Sequence, residues 1–113
     1  MKMCIVITLQ VEGIHRWAAC PIPEVSFLKN FHRHIFHINM VKEVSHDDRD
    51  VEIIQLKRAV LKDLNEKFYN EDENCLFLDD WSCERLCAYL IEKFGCIVVK
   101  VLEDNENGAM VSV

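Results

Sequence analysis

The chain has 113 residues, half of them apolar, which suffices for one domain spanning residues 1–113 with a buried core and no disulfide staples. Its formal charge is −6, and its 13 Lys and Arg are dispersed along the chain instead of clustered, which argues against nucleic acid as a partner. No apolar run approaches the ~20 residues of a membrane span, and the start, "MKMCIVITLQVEG", runs into strand pattern without a signal-type cleavage site, so no membrane partner and a cytoplasmic location are expected.

Residues 2–12 alternate and contain Ile5, Val6, Ile7 and Val11, which reads as a strand that Gly13, Pro21 and Pro23 then break into a loop. Residues 31–44, "FHRHIFHINMVKEV", are aromatic and β-branched and predict a second strand ending at the polar turn "SHDDRD". From Val51 to Tyr69 the set Val51, Ile54, Leu61, Leu64 and Phe68, with Val60 beside it, predicts a helix. "NEDENCLFLDD" shows no sustained period. Asp80 is placed to cap a second helix with inward face Cys83, Leu86, Cys87, Leu90, Ile91 and Phe94, ending at Gly95. "CIVVKVLE" and "AMVSV" predict two closing strands around the turn "DNENG".

The expected architecture is α+β, in the order ββααββ, a four-stranded antiparallel sheet with two helices on one face. A sheet covered on one side and open at its edges is expected to continue across subunits, as a homo-oligomer. The six cysteines contain no C-x-x-C pair and mostly fall in apolar patterns, so they are expected to be reduced and mainly core, with Cys83 and Cys87, at i, i+4 spacing, read as core in preference to a soft-metal pair.

Three histidines in eight residues, "FHRHIFHI", need an explanation, because each buried imidazole brings two nitrogens that must find partners. Strand alternation puts His32 and His34 on one face and His37 on the other. His15, beyond the first strand, can join His32 and His34 through the hairpin. Three imidazoles with an open fourth position suit a Zn²⁺ site, and the competing reading is a set of hydrogen-bonded sheet residues.

In order, "GIHRWAAC", "FHRHIFHI", "DVEIIQLKRAV", "WSCERLCAYLIEKF" and "VVKVLEDNENG" resemble the motifs of the 6-pyruvoyl-tetrahydropterin synthase / 6-carboxytetrahydropterin synthase family, the tunnelling fold. The resemblance spans nearly the whole chain, with no single motif intact. It implies Zn²⁺ held by His15, His32 and His34, with Arg33 where the family's H-G-H has glycine. It implies that Glu103 anchors a pterin-like or purine-like ring, a task that suits a carboxylate accepting two parallel hydrogen bonds. It further implies lyase chemistry on a dihydroneopterin-triphosphate-like substrate and a hexamer built as a dimer of trimers. Glu84 matches the family's P-T-x-E-N-L glutamate, where a first-turn electrostatic role is expected.

Two departures stand out. The family's catalytic cysteine precedes H-G-H by a few residues, where this chain has Phe27 to Phe31, so Cys20 is the only thiol in that loop available as a catalytic group. The family's Asp-His pair falls on Phe68 and Tyr69, which cannot relay protons as that pair does, with Asp79, Asp80, His37 and His46 as the nearest substitutes. The alternative expectation is therefore a catalytically inactive paralogue that binds a pterin-, purine- or nucleotide-like ligand. A third is an assembly module whose histidines hold a structural metal or none.

Overall fold

A computed structural model describes residues 1–113. The long apolar alternations form the central hairpin, β1 (Met3–His15) and β2 (His32–Val44), antiparallel in continuous register from Met3 opposite Val44 to His15 opposite His32. Between them, residues 23–29 form a 3-10 helix opened by Pro23. Then come α1 (Ile53–Phe68), β3 (Tyr69–Asn70), β4 (Cys75–Asp79), α2 (Cys83–Phe94), β5 (Val98–Glu103) and β6 (Asn107–Ser112).

The class is α+β, but the sheet is six-stranded and mixed, not four-stranded and antiparallel. Its order is β3-β4-β1-β2-β5-β6. The added strands lie in "NEDENCLFLDD" and just before it: β4 runs parallel to the end of β1, and β3 forms a two-residue bridge to β4. Five residues behind an acidic turn are too short to show a period, yet Cys75, Leu76 and Leu78 are buried.

Alternate residues of the strands, including Ile7, Leu9, Phe36, Ile38, Met40, Leu78, Val99 and Val101, join one core of nineteen buried side chains with the inner faces of both helices. The α2 face is the expected one, with Phe94 at its margin. On α1 the expected Val60, Leu64 and Phe68 are buried and Val51 and Leu61 pack at the margin of the core, while Leu56 joins the stripe and Ile54 is exposed. Ser82, not Asp80, caps α2, its hydroxyl accepting the Arg85 N–H at 3.1 Å, because Asp80 is turned to the Ala18 N–H. Gly95 ends α2 at φ 61°, a left-handed cap that costs glycine little.

The other sheet face has no helix on it and exposes Val6, Ile35 and Met110. The molecule is correspondingly flat, 50 × 30 × 20 Å, with a radius of gyration of 15.2 Å, against roughly 13 Å for an evenly packed chain of about 100 residues. No helix is long and apolar enough to cross a membrane. All six cysteines are free.

Candidate metal centre

Antiparallel pairing sets His15 directly opposite His32, and strand alternation stacks His34 and then Phe36 beside them on the core side. Ring centroids are 4.6 Å apart for His15 and His32, 5.1 Å for His32 and His34, and 5.4 Å for His15 and His34. Ring nitrogens from all three lie within 4.8 Å of one another. Gly13 makes room beneath, since a Cβ there would sit 3.0 Å from Leu78 Cδ1 and 3.1 Å from Phe36 Cε2.

Each imidazole is oriented through Nδ1. His15 Nδ1 donates to the Trp81 carbonyl at 2.8 Å, His32 Nδ1 to the Asn30 carbonyl at 2.8 Å, and His34 Nδ1 to Asp104 Oδ2 at 2.7 Å. All three partners are pure acceptors, so Nδ1 carries a proton in each ring, and Nε2 is the nitrogen whose lone pair a metal ion would take. Metal-binding histidines are held by this arrangement of outer acceptors. The donor set could therefore hold a metal ion that accepts nitrogen ligands.

Glu103, the last residue of β5, pairs with Phe36 of β2 and so brings its carboxylate under the histidines. Its Oε2 lies 2.9 Å from His15 Nε2 and its Oε1 3.6 Å from His34 Nε2. The 2.9 Å contact is short for an ion pair, but it is out of line for an N–H donor, and the buried His15 Nε2 is left without a hydrogen-bond partner. Burial works to lower the His15 pKa, and Glu103 and the Trp81 carbonyl together outweigh it, leaving the value raised. In the other direction, His15 holds the Glu103 carboxyl below its ordinary range against the opposing effect of burial.

The turn after β5 supplies the remaining anchor. Asp104 and Asn105 adopt φ of 53° and 59°, a left-handed pair that Asp and Asn tolerate well. That turn lets the Asp104 carboxylate accept both His34 Nδ1–H and the Ile35 N–H at 3.0 Å.

A cavity of about 610 Å³ opens beside the centre, lined by His15, His32 and Glu103 with Arg16, Trp81 and Cys83 among others. That volume lies within the usual range for small-molecule sites, about 300–1,000 Å³. Asp80 and Glu84 also border it, Glu84 from the first turn of α2.

His15, His32, His34 and Glu103 thus come together, while Cys20 stands apart from them. Cys20 is buried in its own loop, its thiol facing the Ile22 and Val25 carbonyls at 3.7 Å, and it is not among the cavity-lining residues. The thiol on the cavity wall is Cys83, which reads from sequence as a core residue. It belongs to the core cluster and also points its sulfur at Glu103 Oε2, 3.7 Å away. Burial, with Glu103 beside it, pushes the Cys83 thiol up to about 12, so it stays protonated.

Phe68 is buried against Trp81, and His37 lies on the opposite face, in a second hollow with Lys100. Arg16, Trp81 and Asp104 fall inside the stretches "GIHRWAAC", "WSCERLCAYLIEKF" and "VVKVLEDNENG", but none is singled out there as a site residue. A scan against protein-family models and a search of curated proteins each find no match to this chain.

Proposed function

We propose that the protein is a zinc-dependent member of the 6-pyruvoyl/6-carboxytetrahydropterin synthase type, built on the tunnelling fold and acting as a lyase on a dihydroneopterin-triphosphate-like substrate. One observation carries this reading: three imidazoles, each with Nδ1–H committed to an acceptor, bring ring nitrogens within 4.8 Å of one another, with the Glu103 carboxylate beside His15 and His34 and a ligand-sized cavity against His15, His32 and Glu103. A bound zinc supplies Lewis acidity to oxygen substituents of a substrate side chain.

The chain's own residues do the rest. His15, His32 and His34 hold the metal, and the Trp81, Asn30 and Asp104 acceptors keep the rings from turning. Glu103 accepts hydrogen bonds from the aminopyrimidinone edge of a pterin or purine. Asp80 and Glu84 are the other carboxylates at the cavity and are the groups available to exchange protons with a substrate.

A specific observation favours a second reading, binding without turnover. The wall's thiol, Cys83, is held protonated, and Cys20 faces its own loop, so neither offers a thiolate base.

For assembly we propose a homo-hexamer formed as a dimer of trimers. The flat shape and the uncovered sheet face with Val6, Ile35 and Met110 support burial against further copies.

Native mass spectrometry of the zinc-loaded protein with dihydroneopterin triphosphate tests both readings. A multimer with about one zinc per chain that forms product is expected. Retention of unchanged ligand establishes the binding reading, and a species holding neither metal nor heterocycle overturns both.

A further inference from the structure

We propose that Glu103 is a fourth protein ligand of the metal, so that the centre is coordinatively closed until a heterocycle takes the carboxylate away. This rests on the metal reading of His15, His32 and His34.

The spacing supports it. Ligand atoms around a tetrahedral zinc at about 2.0–2.2 Å sit roughly 3.3 Å from one another. Glu103 Oε2 is 2.9 Å from His15 Nε2, and Oε1 is 3.6 Å from His34 Nε2. The carboxylate therefore stands at ligand-to-ligand separation from two of the three nitrogens.

Direction supports it as well. His15 is more than nine-tenths buried, and its Nε2 has no aligned hydrogen-bond partner although a carboxylate oxygen is in reach. Two donors that lie close without pointing a hydrogen at each other are arranged to converge on a third atom. Burying such a nitrogen unpartnered is destabilising, and a shared cation removes that cost.

The main chain delivers Glu103 with little freedom. Its backbone is registered against Phe36 and Asn107, and the Asp104 N–H that follows donates to the Ile35 carbonyl at 2.8 Å. The Cys83 thiol lies 3.7 Å from Oε2 as an outer donor, the kind of support a ligating carboxylate receives.

A consequence follows for ligand binding. Three neutral imidazoles and one carboxylate leave a divalent ion with a single positive charge and no open position. A pterin-like ring that engages Glu103 must draw it off the metal, so the coordination site opens only as the ring arrives.

Cobalt(II) added to the apo-protein, read by its visible absorption, is the test. Wild type should give a four-coordinate spectrum that added azide leaves unchanged. Glu103→Gln should bind cobalt at least about tenfold more weakly, and its spectrum should shift with azide. An azide-sensitive wild-type spectrum overturns the inference, and that reading requires no variant to fold. Equal cobalt affinity in wild type and Glu103→Gln also overturns it. If wild type takes up no more cobalt than the double variant His32→Ala/His34→Ala, the metal reading fails and the inference with it; cobalt uptake with azide sensitivity removes the fourth ligand alone.

Discussion

His34 and Asp104, seventy positions apart, share one hydrogen bond of 2.7 Å, and the same carboxylate holds the backbone beside His34 through the Ile35 N–H. Asp104 thus sets both the tautomer of the ring and the position of the strand carrying it. Its own carboxyl is held below the ordinary range, first by the His34 contact and then by the Ile35 N–H.

Asp104→Asn should keep the fold and weaken metal retention by about 10- to 100-fold, the usual effect of losing an outer partner of a metal-binding histidine. Competition with a chromophoric chelator measures it. An affinity equal to wild type would show that Asp104 does not orient a ligand.

Ser82 caps α2 and stands next to Trp81, whose carbonyl holds His15. Ser82→Ala should lower stability by about 1 kcal/mol through loss of the cap, seen in urea unfolding. Metal affinity should fall as well, because the first turn of α2 frays where it positions the Trp81 carbonyl. A stability loss with unaltered affinity would separate the cap from the site.

Leu90 lies on the inner face of α2 and is completely buried in the core shared by both helices and the sheet. Leu90→Ala should cost about 2–5 kcal/mol, the transfer and cavity cost of a large-to-small core change. Urea titration gives the value. A loss below about 1 kcal/mol would mean that the core closes over the gap.

Tyr89 donates its hydroxyl to Asp63 Oδ2 at 2.6 Å. Burial first, and then that carboxylate, pushes the phenol up to about 12, against about 10 in an unfolded chain. The folded value is the higher one, so this group's contribution to stability is complete below pH ~10 and is lost as pH rises through about 12. Ultraviolet titration of the phenolate band should show a late step that Tyr89→Phe removes. An unchanged titration curve in the variant would contradict the assignment.

Periodicity carried the strands β1, β2, β5 and β6 and both helices, because each spans enough residues for a repeat to show. It missed β4, whose "CLFLD" is five residues long and becomes a strand by lying against the end of β1. On α1 the expected face fails only at Ile54, which is apolar but exposed in the first turn, with Leu56 in the buried stripe instead. Asp80 looked like a cap on residue type alone, and the loop of Ala18 claimed it instead.

At the site, the sequence by itself determined that His32 and His34 share a face and that an acidic residue closes the fifth strand, since alternation and side-chain type are local properties. Which residues meet was decided only by tertiary structure. The register that faces His15 with His32, the β5 pairing that slides Glu103 beneath them, and the loop fold that buries Cys20 each depend on contacts between segments far apart in the chain. Hydrogen-bond partners such as Trp81 for His15 and Asp104 for His34 follow from that packing, because an acceptor's direction depends on where its whole element docks.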